Sequence, residues 1–108
     1  MDAPLEIPVE EAARLLQAGG GPLLLDVREP DEYAFCHVES SRHIPMRRIP
    51  EHLAELPRDR PILVLCHHGG RSLRVTQFLR ASHYPLVTNI AGGIDAWAEL
   101  VEPGMPRY

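Results

Sequence analysis

Lysine is absent from this 108-residue chain, and all 11 of its basic residues are arginines. The arginines are scattered along the sequence and are outnumbered by 15 acidic residues, which gives a formal net charge of −4 at pH 7. A negative chain without a basic cluster lacks the electrostatic footprint of nucleic-acid binding, so we expect no nucleic-acid partner. We interpret the missing lysine as a bias in nucleotide composition rather than as a binding signal.

Cysteines and long apolar runs are also scarce. The two cysteines, Cys36 and Cys66, favour a reducing compartment, because a domain of this size buries roughly two thirds of its unfolded surface and needs no disulfide scaffold. No stretch approaches the roughly 18 apolar residues of a membrane helix, and the acidic start MDAPLEIPVEE is unlike a signal peptide. The chain is therefore predicted to be a cytoplasmic monomer without a membrane partner. We expect one domain over residues 1–108, with a core from about 7 to 100 and an irregular tail.

Short apolar runs bounded by glycine and proline alternate with helical patterns along the chain. The runs predict strands at 23–27, 62–65 and 87–90, with a brief strand at 43–45. Helices are predicted at 9–16, 30–33, 50–56, 71–80 and 94–100, and the run Gly19-Gly20-Gly21-Pro22 ends the first of them. Such alternation requires right-handed crossovers and gives an α/β fold with a mostly parallel sheet.

Two helices are predicted to contribute large side chains to the core. In the helix at 71–80, an apolar stripe is formed by Leu73, Val75, Phe78 and Leu79, and we expect Phe78 and Leu79 to be buried. Trp97, in the last helix, is expected to anchor the core against the sheet.

The chemistry-bearing segment follows the predicted strand 62–65 directly, and it reads Cys66-His67-His68-Gly69-Gly70-Arg71-Ser72. Sites in parallel sheets form at the carboxyl ends of strands, where this segment begins. Two glycines let successive N–H groups turn toward one point, and the next helix directs the positive end of its dipole there. Such a cradle favours a thiolate at Cys66 and binds an anion, which makes the segment a candidate nucleophilic site.

The C-x-x-G-x-R-S pattern of this segment is one of four ordered blocks that together resemble the rhodanese family. The other blocks are Asp26-Val27-Arg28, Glu32-Tyr33 and Gly92-Gly93-Ile94-Asp95-Ala96-Trp97. The resemblance extends from about Ile7 to about Leu100. It implies a rhodanese-like α/β fold with a five-stranded, mainly parallel sheet flanked by helices on both faces. It also implies a sulfurtransferase that moves a sulfane sulfur from thiosulfate or a similar donor to a thiophilic acceptor such as cyanide.

Carried over residue by residue, the resemblance makes Cys66 the catalytic nucleophile and persulfide carrier. The amides lining its substrate pocket would be those of His67, His68, Gly69, Gly70 and Arg71. The Arg71 side chain would bind an anionic donor or brace the loop, and Ser72 would hydrogen-bond the sulfur or cap the backbone. Asp26 and Arg28 would support the site, with Arg28 paired to Glu32. This interpretation requires inward-facing amides and a Cys66 thiol open to solvent.

The sequence departs from the family pattern in two places. Where the family has Gly-His-Ile-Pro-Gly-Ala, this chain has Cys36-His37-Val38-Glu39-Ser40-Ser41, which retains only the histidine and leaves the path of that loop open. The adjacent histidines at 67 and 68 are the second departure. Because imidazole gains a proton near pH 6 to 7, they predict a pH-dependent binding of the donor.

Several alternatives compete with this interpretation. Phosphatases and arsenate reductases of related fold use H-C-x5-R, whereas here four residues separate Cys66 from Arg71 and Leu65 precedes the cysteine. The Cys-His pairs at 36–37 and 66–68 lack the spacing of closed zinc sites, so no metal ligand and no cofactor are predicted. Cys36 is interpreted as a small packing residue or, alternatively, as a resolving thiol for an oxidised Cys66. His37 is expected to hold a backbone turn.

The favoured prediction is therefore a thiosulfate sulfurtransferase (rhodanese)-type enzyme. Its partners would be a small anionic sulfur donor and a thiol or cyanide-like acceptor, with a protein sulfur acceptor as a further candidate. A non-catalytic rhodanese-fold binding or sensing module is the main alternative, followed by a phosphatase or arsenate reductase.

Overall fold

A single five-stranded sheet runs through the molecule, for which the computed structural model describes residues 3–19 and 21–108. The strands are β1 (Glu6–Pro8), β2 (Leu23–Asp26), β3 (Arg42–His43), β4 (Ile62–Leu65) and β5 (Val87–Ala91). Their order in the sheet is β1-β5-β4-β2-β3, and all four pairings are parallel. The predicted α/β fold with a five-stranded sheet is confirmed, and the sheet is entirely parallel rather than mainly so.

Three α-helices lie between strands, and a fourth follows β5: α1 (Val9–Gln17), α2 (Pro30–Phe35), α3 (Gly70–Ala81) and α4 (Gly93–Leu100). The helix predicted at 50–56 is instead a 3₁₀ helix that begins earlier, Met46–Glu55, and contains Pro50. Strand β1 was not predicted. It has three residues, ends at a proline and buries only Ile7, so it offers too little alternation to be read from the sequence. Gly20, part of the predicted helix stop, lies outside the described residues.

The helices cover both faces of the sheet and create two apolar clusters. Successive strand residues point to opposite faces, so Leu24 packs into one cluster and Leu25 into the other. The first cluster includes Ile7, Ala12, Leu63, Leu65, Ile94 and Trp97, which confirms Trp97 as a core anchor. The second includes Val27, Ile62, Val64, Cys66, Val75 and Leu79. The strands are therefore nearly continuous apolar runs, as expected for a sheet covered on both sides.

The expectation that Phe78 is a core residue is wrong, because its side chain is 41% exposed. The buried positions of α3 are Ser72, Val75, Thr76 and Leu79, spaced at three and four residues along one face. That face includes two polar residues, so the buried stripe was not visible as an apolar pattern. Position 78 falls on the other side of the helix.

The start of α4 packs against the main chain that follows β4. The N–H groups of Ile94 and Asp95 donate to the carbonyl oxygens of Cys66 and His67, at 2.8 and 3.1 Å. Gly93 makes this approach feasible, since it has a φ of +61° and no side chain. A β-carbon there would lie 2.5 Å from the carbonyl oxygen of Cys66 and would also clash with that of His67. The end of β4 and the start of α4 therefore form one packed unit.

Residues 101–108 follow α4 without a regular helix or strand. They nevertheless fold back on the domain, because Met105 packs against the first apolar cluster and the Arg107 guanidinium makes two hydrogen bonds to Asp95, at 3.0 and 3.1 Å. Within the described residues, none of the helices has the length and apolar character needed to cross a membrane.

Replacing Gly93 with alanine tests the packing of α4 on the loop. The β-carbon clashes with main-chain oxygens and the left-handed φ is strained for alanine, so Gly93→Ala should lower the free energy of unfolding by at least about 2 kcal/mol. Urea denaturation followed by circular dichroism provides the measurement. Gly104→Ala is the matched control, because a β-carbon at Gly104 meets open space. Equal stabilities for the two variants would contradict the packing of α4 against the loop.

Candidate active site

Cys66 lies where the sequence predicted it, immediately after β4 and before α3. The register of the sheet pairs Leu65 with Asp26, so the segment after β2 lies beside the segment after β4. Cys66 is 1% exposed and packs in the second apolar cluster beneath residues 67–72. The expectation of a thiol open to solvent is therefore wrong for this arrangement, in which the sulfur is closed off by its own loop and by neighbouring side chains.

Three polar hydrogens are directed at the Cys66 sulfur. The Gly69 N–H lies 3.1 Å from Sγ, the Ser72 N–H lies 3.4 Å away and the Ser72 hydroxyl lies 3.2 Å away. Gly69 has a φ of +109°, and a β-carbon there would press on the main chain of Gly92 at 3.2 Å. The predicted hydrogen bond from Ser72 to the sulfur is confirmed, and the Ser72 amide, which was not part of the predicted ring, joins it.

The remaining loop amides are oriented by their own carbonyl groups. A trans peptide places its N–H opposite its C=O, so the carbonyls of Cys66 and His67, which point at α4, send the next N–H groups away from α4. These are the amides of His67 and His68. The carbonyl of Gly69 is likewise taken, by the Leu73 N–H at 3.1 Å, which orients the amide of Gly70. The carbonyl oxygens of Cys66, His67 and Gly69 therefore point away from the side of the loop to which the N–H groups point.

Asn89, which sequence reasoning did not single out, braces the loop from β5. Its side-chain amide donates to the carbonyl of Gly69 at 3.1 Å and to the Glu6 carboxylate at 2.7 Å, and the residue is fully buried. Its Oδ1 atom is buried without a hydrogen-bond partner among the described residues. An asparagine inside an apolar strand was the available signal, because a buried amide is retained where it makes hydrogen bonds.

Arg71 is held by Glu32 of α2. The two side chains form a bidentate ion pair, with nitrogen–oxygen distances of 2.7 and 2.9 Å. The hydrogen bond from Arg71 lowers the pKa of Glu32 to about 2 and outweighs the opposite effect of burial. The same hydrogen bond raises the pKa of Arg71. Of the two roles predicted for Arg71, bracing the loop is the one that this arrangement displays.

Arg28 and Asp26 form a buried ion pair beneath the site, and both are fully buried. Burial alone would lower the pKa of Arg28, but its hydrogen bonds to Asp26 and Tyr108 raise it. The guanidinium also donates to the carbonyl oxygens of Glu32 and Cys36, at 3.1 and 2.7 Å. The expected ion pair between Arg28 and Glu32 is therefore wrong: Arg28 contacts the main chain of Glu32, because the carboxylate belongs to Arg71. This network fixes α2 and the loop that follows it.

The loop at 36–41, whose path the sequence left open, is organised by Tyr33. The Tyr33 ring is stacked between His37 and His43, at centroid distances of 4.0 and 4.3 Å. His37 Nδ1 lies 2.9 Å from the Tyr33 carbonyl oxygen, in agreement with a role in holding the turn. Ser41 closes the loop through a hydroxyl that donates to the Val38 carbonyl at 2.6 Å. These contacts replace the missing glycines and proline.

The two cysteines lie in different apolar clusters, Cys36 beside Val38 and Cys66 beside Val64, and both are free thiols. Cys36 is 8% exposed, which fits its interpretation as a small packing residue. Across residues 3–19 and 21–108, no group of three or more histidine, cysteine, aspartate or glutamate side chains could hold a metal ion.

Tyr108 reaches the site from the segment after α4, which was predicted only as an irregular tail. Its ring stacks on His67 with a centroid distance of 3.9 Å, and His68 in turn leans on His67 at 3.8 Å. The Tyr108 hydroxyl donates to Glu32 at 2.8 Å and accepts from Arg28 at 3.0 Å. No sequence pattern marks this residue, because its contacts depend on where the chain returns after α4.

The ion pair of Arg71 with Glu32 predicts a specific pH dependence of stability. Because the pKa of Glu32 falls from 4.5 to about 2 on folding, its contribution is present above pH 4.5 and is lost as the pH falls toward 2. Glu32→Gln should therefore lower the free energy of unfolding by about 1–2 kcal/mol at pH 5 to 7, after allowance for solvent screening, and by less at pH 3. Urea denaturation across this range provides the measurement. Glu39→Gln, at an exposed position, is the control. If the parent and Glu32→Gln differ in free energy of unfolding by the same amount at pH 3 and at pH 7, the pairing is contradicted.

Comparison with known proteins identifies relatives that match most of this chain. The family model for the rhodanese-like domain matches residues 8–100. A sulfurtransferase of Allochromatium vinosum is 36% identical over 93 residues, which cover 86% of this chain and 87% of that protein. The thiosulfate sulfurtransferase GlpE of Tolumonas auensis is 32% identical over 91 residues, covering 84% of this chain and 85% of the relative.

A solved structure shares both the fold and the sequence similarity. The rhodanese-related protein of Thermoplasma volcanium superimposes with a TM-score of 0.79 at 32% identity, covering 94% of each chain. The family match extends over every strand of the sheet except the first two residues of β1, and it includes the loop from Cys66 to Ser72. The chain therefore belongs to the rhodanese-like domain family.

Proposed function

We propose that this chain is a rhodanese-type sulfurtransferase in which Cys66 accepts a sulfane sulfur from thiosulfate or a related donor and passes it to a thiophilic acceptor. The observation that carries the proposal is the set of three polar hydrogens whose donor atoms lie within 3.4 Å of the Cys66 sulfur. Such donors stabilise a sulfur that bears negative charge, both as thiolate and as persulfide. The named relatives, a sulfurtransferase and a thiosulfate sulfurtransferase, support the same activity.

In the first step, the Cys66 thiolate attacks the outer sulfur of the donor. With thiosulfate, a sulfur–sulfur bond forms at Cys66, the original sulfur–sulfur bond of thiosulfate breaks, and sulfite leaves with the bonding electron pair. The negative charge then resides on the outer sulfur of the persulfide. The amides of the 67–70 loop that point away from α4 are the groups available to stabilise it, because their carbonyl oxygens are engaged elsewhere.

In the second step, the acceptor attacks the outer sulfur of the persulfide. With cyanide, a carbon–sulfur bond forms, the persulfide bond breaks, and the electron pair returns to Cys66 as a thiolate while thiocyanate leaves. No proton has to move in either step, which fits the hydrogen bonds of the sulfur: among the residues that the structure describes, the donors to Sγ are two amides and one hydroxyl.

The loop favours sulfur over a phosphate group for two reasons. Only four residues separate Cys66 from Arg71, so the ring of amides is smaller than the five-residue loop of the related phosphatases. In addition, the Arg71 guanidinium is occupied by the Glu32 carboxylate, whereas binding of a phosphate dianion calls for an available cation. The donor would be an anion small enough to be held by main-chain amides.

The persulfide can be detected directly by intact-mass measurement. After incubation with thiosulfate and removal of excess donor, the protein should gain one sulfur, roughly 32 Da, which dithiothreitol removes. Cys66→Ser should gain nothing, while Cys36→Ser, the matched control, should gain the sulfur as the parent protein does. If the parent protein gains no mass with thiosulfate or with other sulfane donors, the proposal is overturned and the non-catalytic rhodanese-fold module is favoured.

Ser72 offers a graded test of sulfur stabilisation. Its hydroxyl donates to Sγ at 3.2 Å, so Ser72→Ala removes one of three donors and leaves the two amides. We expect thiocyanate formation from thiosulfate and cyanide to slow by about tenfold, the value of one hydrogen bond to a charged acceptor. Ser82→Ala is the control, since that hydroxyl donates only to the Phe78 carbonyl on the protein surface. Equal rates for Ser72→Ala and Ser82→Ala would show that the hydroxyl does not contribute.

A further inference from the structure

One segment lies against the candidate site without a place in the sulfur chemistry. We call this segment, residues 101–108, the strap. It is fixed at two points before it reaches the site: Met105 packs against the first apolar cluster, and Arg107 pairs with Asp95 in the first turn of α4. These contacts direct its last residue, Tyr108, toward the active loop.

Tyr108 covers the beginning of the active loop. Its ring lies parallel to the His67 ring, with an angle of 8° between them, and His67 Nε2 is 2.9 Å from the Tyr108 carbonyl oxygen. The Tyr108 ring also meets Phe35 of α2, edge to face, at a centroid distance of 5.6 Å. The residue therefore spans from α2 to the position next to Cys66.

The hydroxyl of Tyr108 reaches the other end of the loop through Glu32. It donates to the same carboxylate that holds Arg71, and it accepts from the buried Arg28. Burial, and to a smaller extent the hydrogen bond to Glu32, raises the pKa of Tyr108 to about 12, although Arg28 acts in the opposite direction. The hydroxyl thus keeps its proton at neutral pH. Both ends of the loop, His67 and Arg71, are connected through one side chain.

The last two residues of the strap, Arg107 and Tyr108, are partly exposed. Tyr108 is 44% exposed, and the side chain of Arg107 is 48% exposed. Exposed stacking and surface ion pairs each contribute little to stability, so a segment held by them opens locally far more often than the core unfolds. Cys66 is 1% exposed, so some local opening has to precede the approach of a reagent to its sulfur.

We propose that the strap is a gate over Cys66, that Tyr108 is its latch, and that the gate makes Tyr108 a specificity-determining residue for the sulfur acceptor. A small anion such as cyanide needs a narrower opening than a peptide-sized thiol such as glutathione. When only a minor fraction of the protein is open, the apparent affinity for an acceptor is reduced in proportion to that fraction. A large acceptor needs a wider opening, which is populated less, so the closed strap reduces its affinity most. The selection of acceptors rests on the proposed sulfurtransferase function, whereas the gate over the thiol does not.

Alkylation of Cys66 by iodoacetamide tests the gate without any sulfur transfer. In a Cys36→Ser background, Tyr108→Ala should react at least fivefold faster than the parent, since the population of open protein rises when the latch is removed. Tyr108→Phe keeps the ring on His67 but loses both hydroxyl contacts, so it should fall between the two. Arg58→Ala is the control: that arginine stacks on Tyr84, at 4.1 Å from the ring centroid, and its loss should change the rate less than twofold.

An alkylation rate for Tyr108→Ala equal to or below that of the parent overturns the gate. If Tyr108→Ala fails to fold, Tyr108→Phe and Arg107→Ala decide the question by the same measurement, because each loosens the strap while retaining the aromatic ring. Thermal unfolding of each variant distinguishes faster local opening from global destabilisation. Global destabilisation would also accelerate the alkylation of Cys36, and this rate is measured in a Cys66→Ser background.

Steady-state kinetics test the selection of acceptors. The kcat/KM for glutathione should rise at least threefold more than the kcat/KM for cyanide in Tyr108→Ala, with thiosulfate held at saturation. An unchanged ratio refutes the selection by size. If none of the proteins transfers sulfur, the proposed function fails, and the alkylation rates still decide whether the strap is a gate.

Discussion

The geometry of the site depends on the hydrogen bonds that the first amides of α4 make with the carbonyl oxygens of Cys66 and His67. A loop that is to hold an anionic sulfur must keep its carbonyl oxygens away from that sulfur, and each of these oxygens needs a donor of its own. The start of α4 supplies the donors because β5 lies beside β4 in the sheet. Gly93 is the residue that permits this approach. The pair Gly92-Gly93 and the loop that begins at Cys66, 26 positions before Gly92, therefore form one structural element.

A second consequence concerns the charges around the sulfur. Both nearby arginines are neutralised by carboxylates, Arg71 by Glu32 and Arg28 by Asp26. The groups that face Sγ are instead neutral dipoles from the main chain and from Ser72. Fixed dipoles stabilise a sulfur anion without requiring it to compete for a mobile cation, and preorganised dipoles need little reorganisation as charge develops. The arginines therefore hold the loop and α2 in place, and under the proposed function the amides would stabilise the sulfur anion.

The sequence predicted the parts of this arrangement that depend on local patterns. The strands at 62–65 and 87–90, the helix following Cys66 and the inward-facing amide of Gly69 follow from apolar runs, glycines and their order along the chain, whereas the Ser72 hydroxyl was implied by the family resemblance. It did not predict contacts that depend on where distant segments meet. Glu32 was paired with Arg28 on the family resemblance, whereas the fold brings Arg71 to the carboxylate. Tyr108 was missed for the same reason, since it belongs to no local pattern that marks a site, whereas Asn89 carried a local signal, an asparagine inside an apolar strand, that was not used.

The burial of Cys66 illustrates why local reasoning gives the chemistry of a nucleophile more readily than its accessibility. The hydrogen-bond donors of the loop can be read from seven consecutive residues, but the exposure of the sulfur depends on everything that packs above them. A persulfide in a closed site is kept from thiols and oxidants in bulk solvent, because it reacts only when the covering residues move. An open cradle would accept sulfur more easily and lose it as easily to any thiol. The closed arrangement, with Tyr108 exposed at 44% and Cys66 at 1%, places the proposed latch at the surface and the thiol in the core.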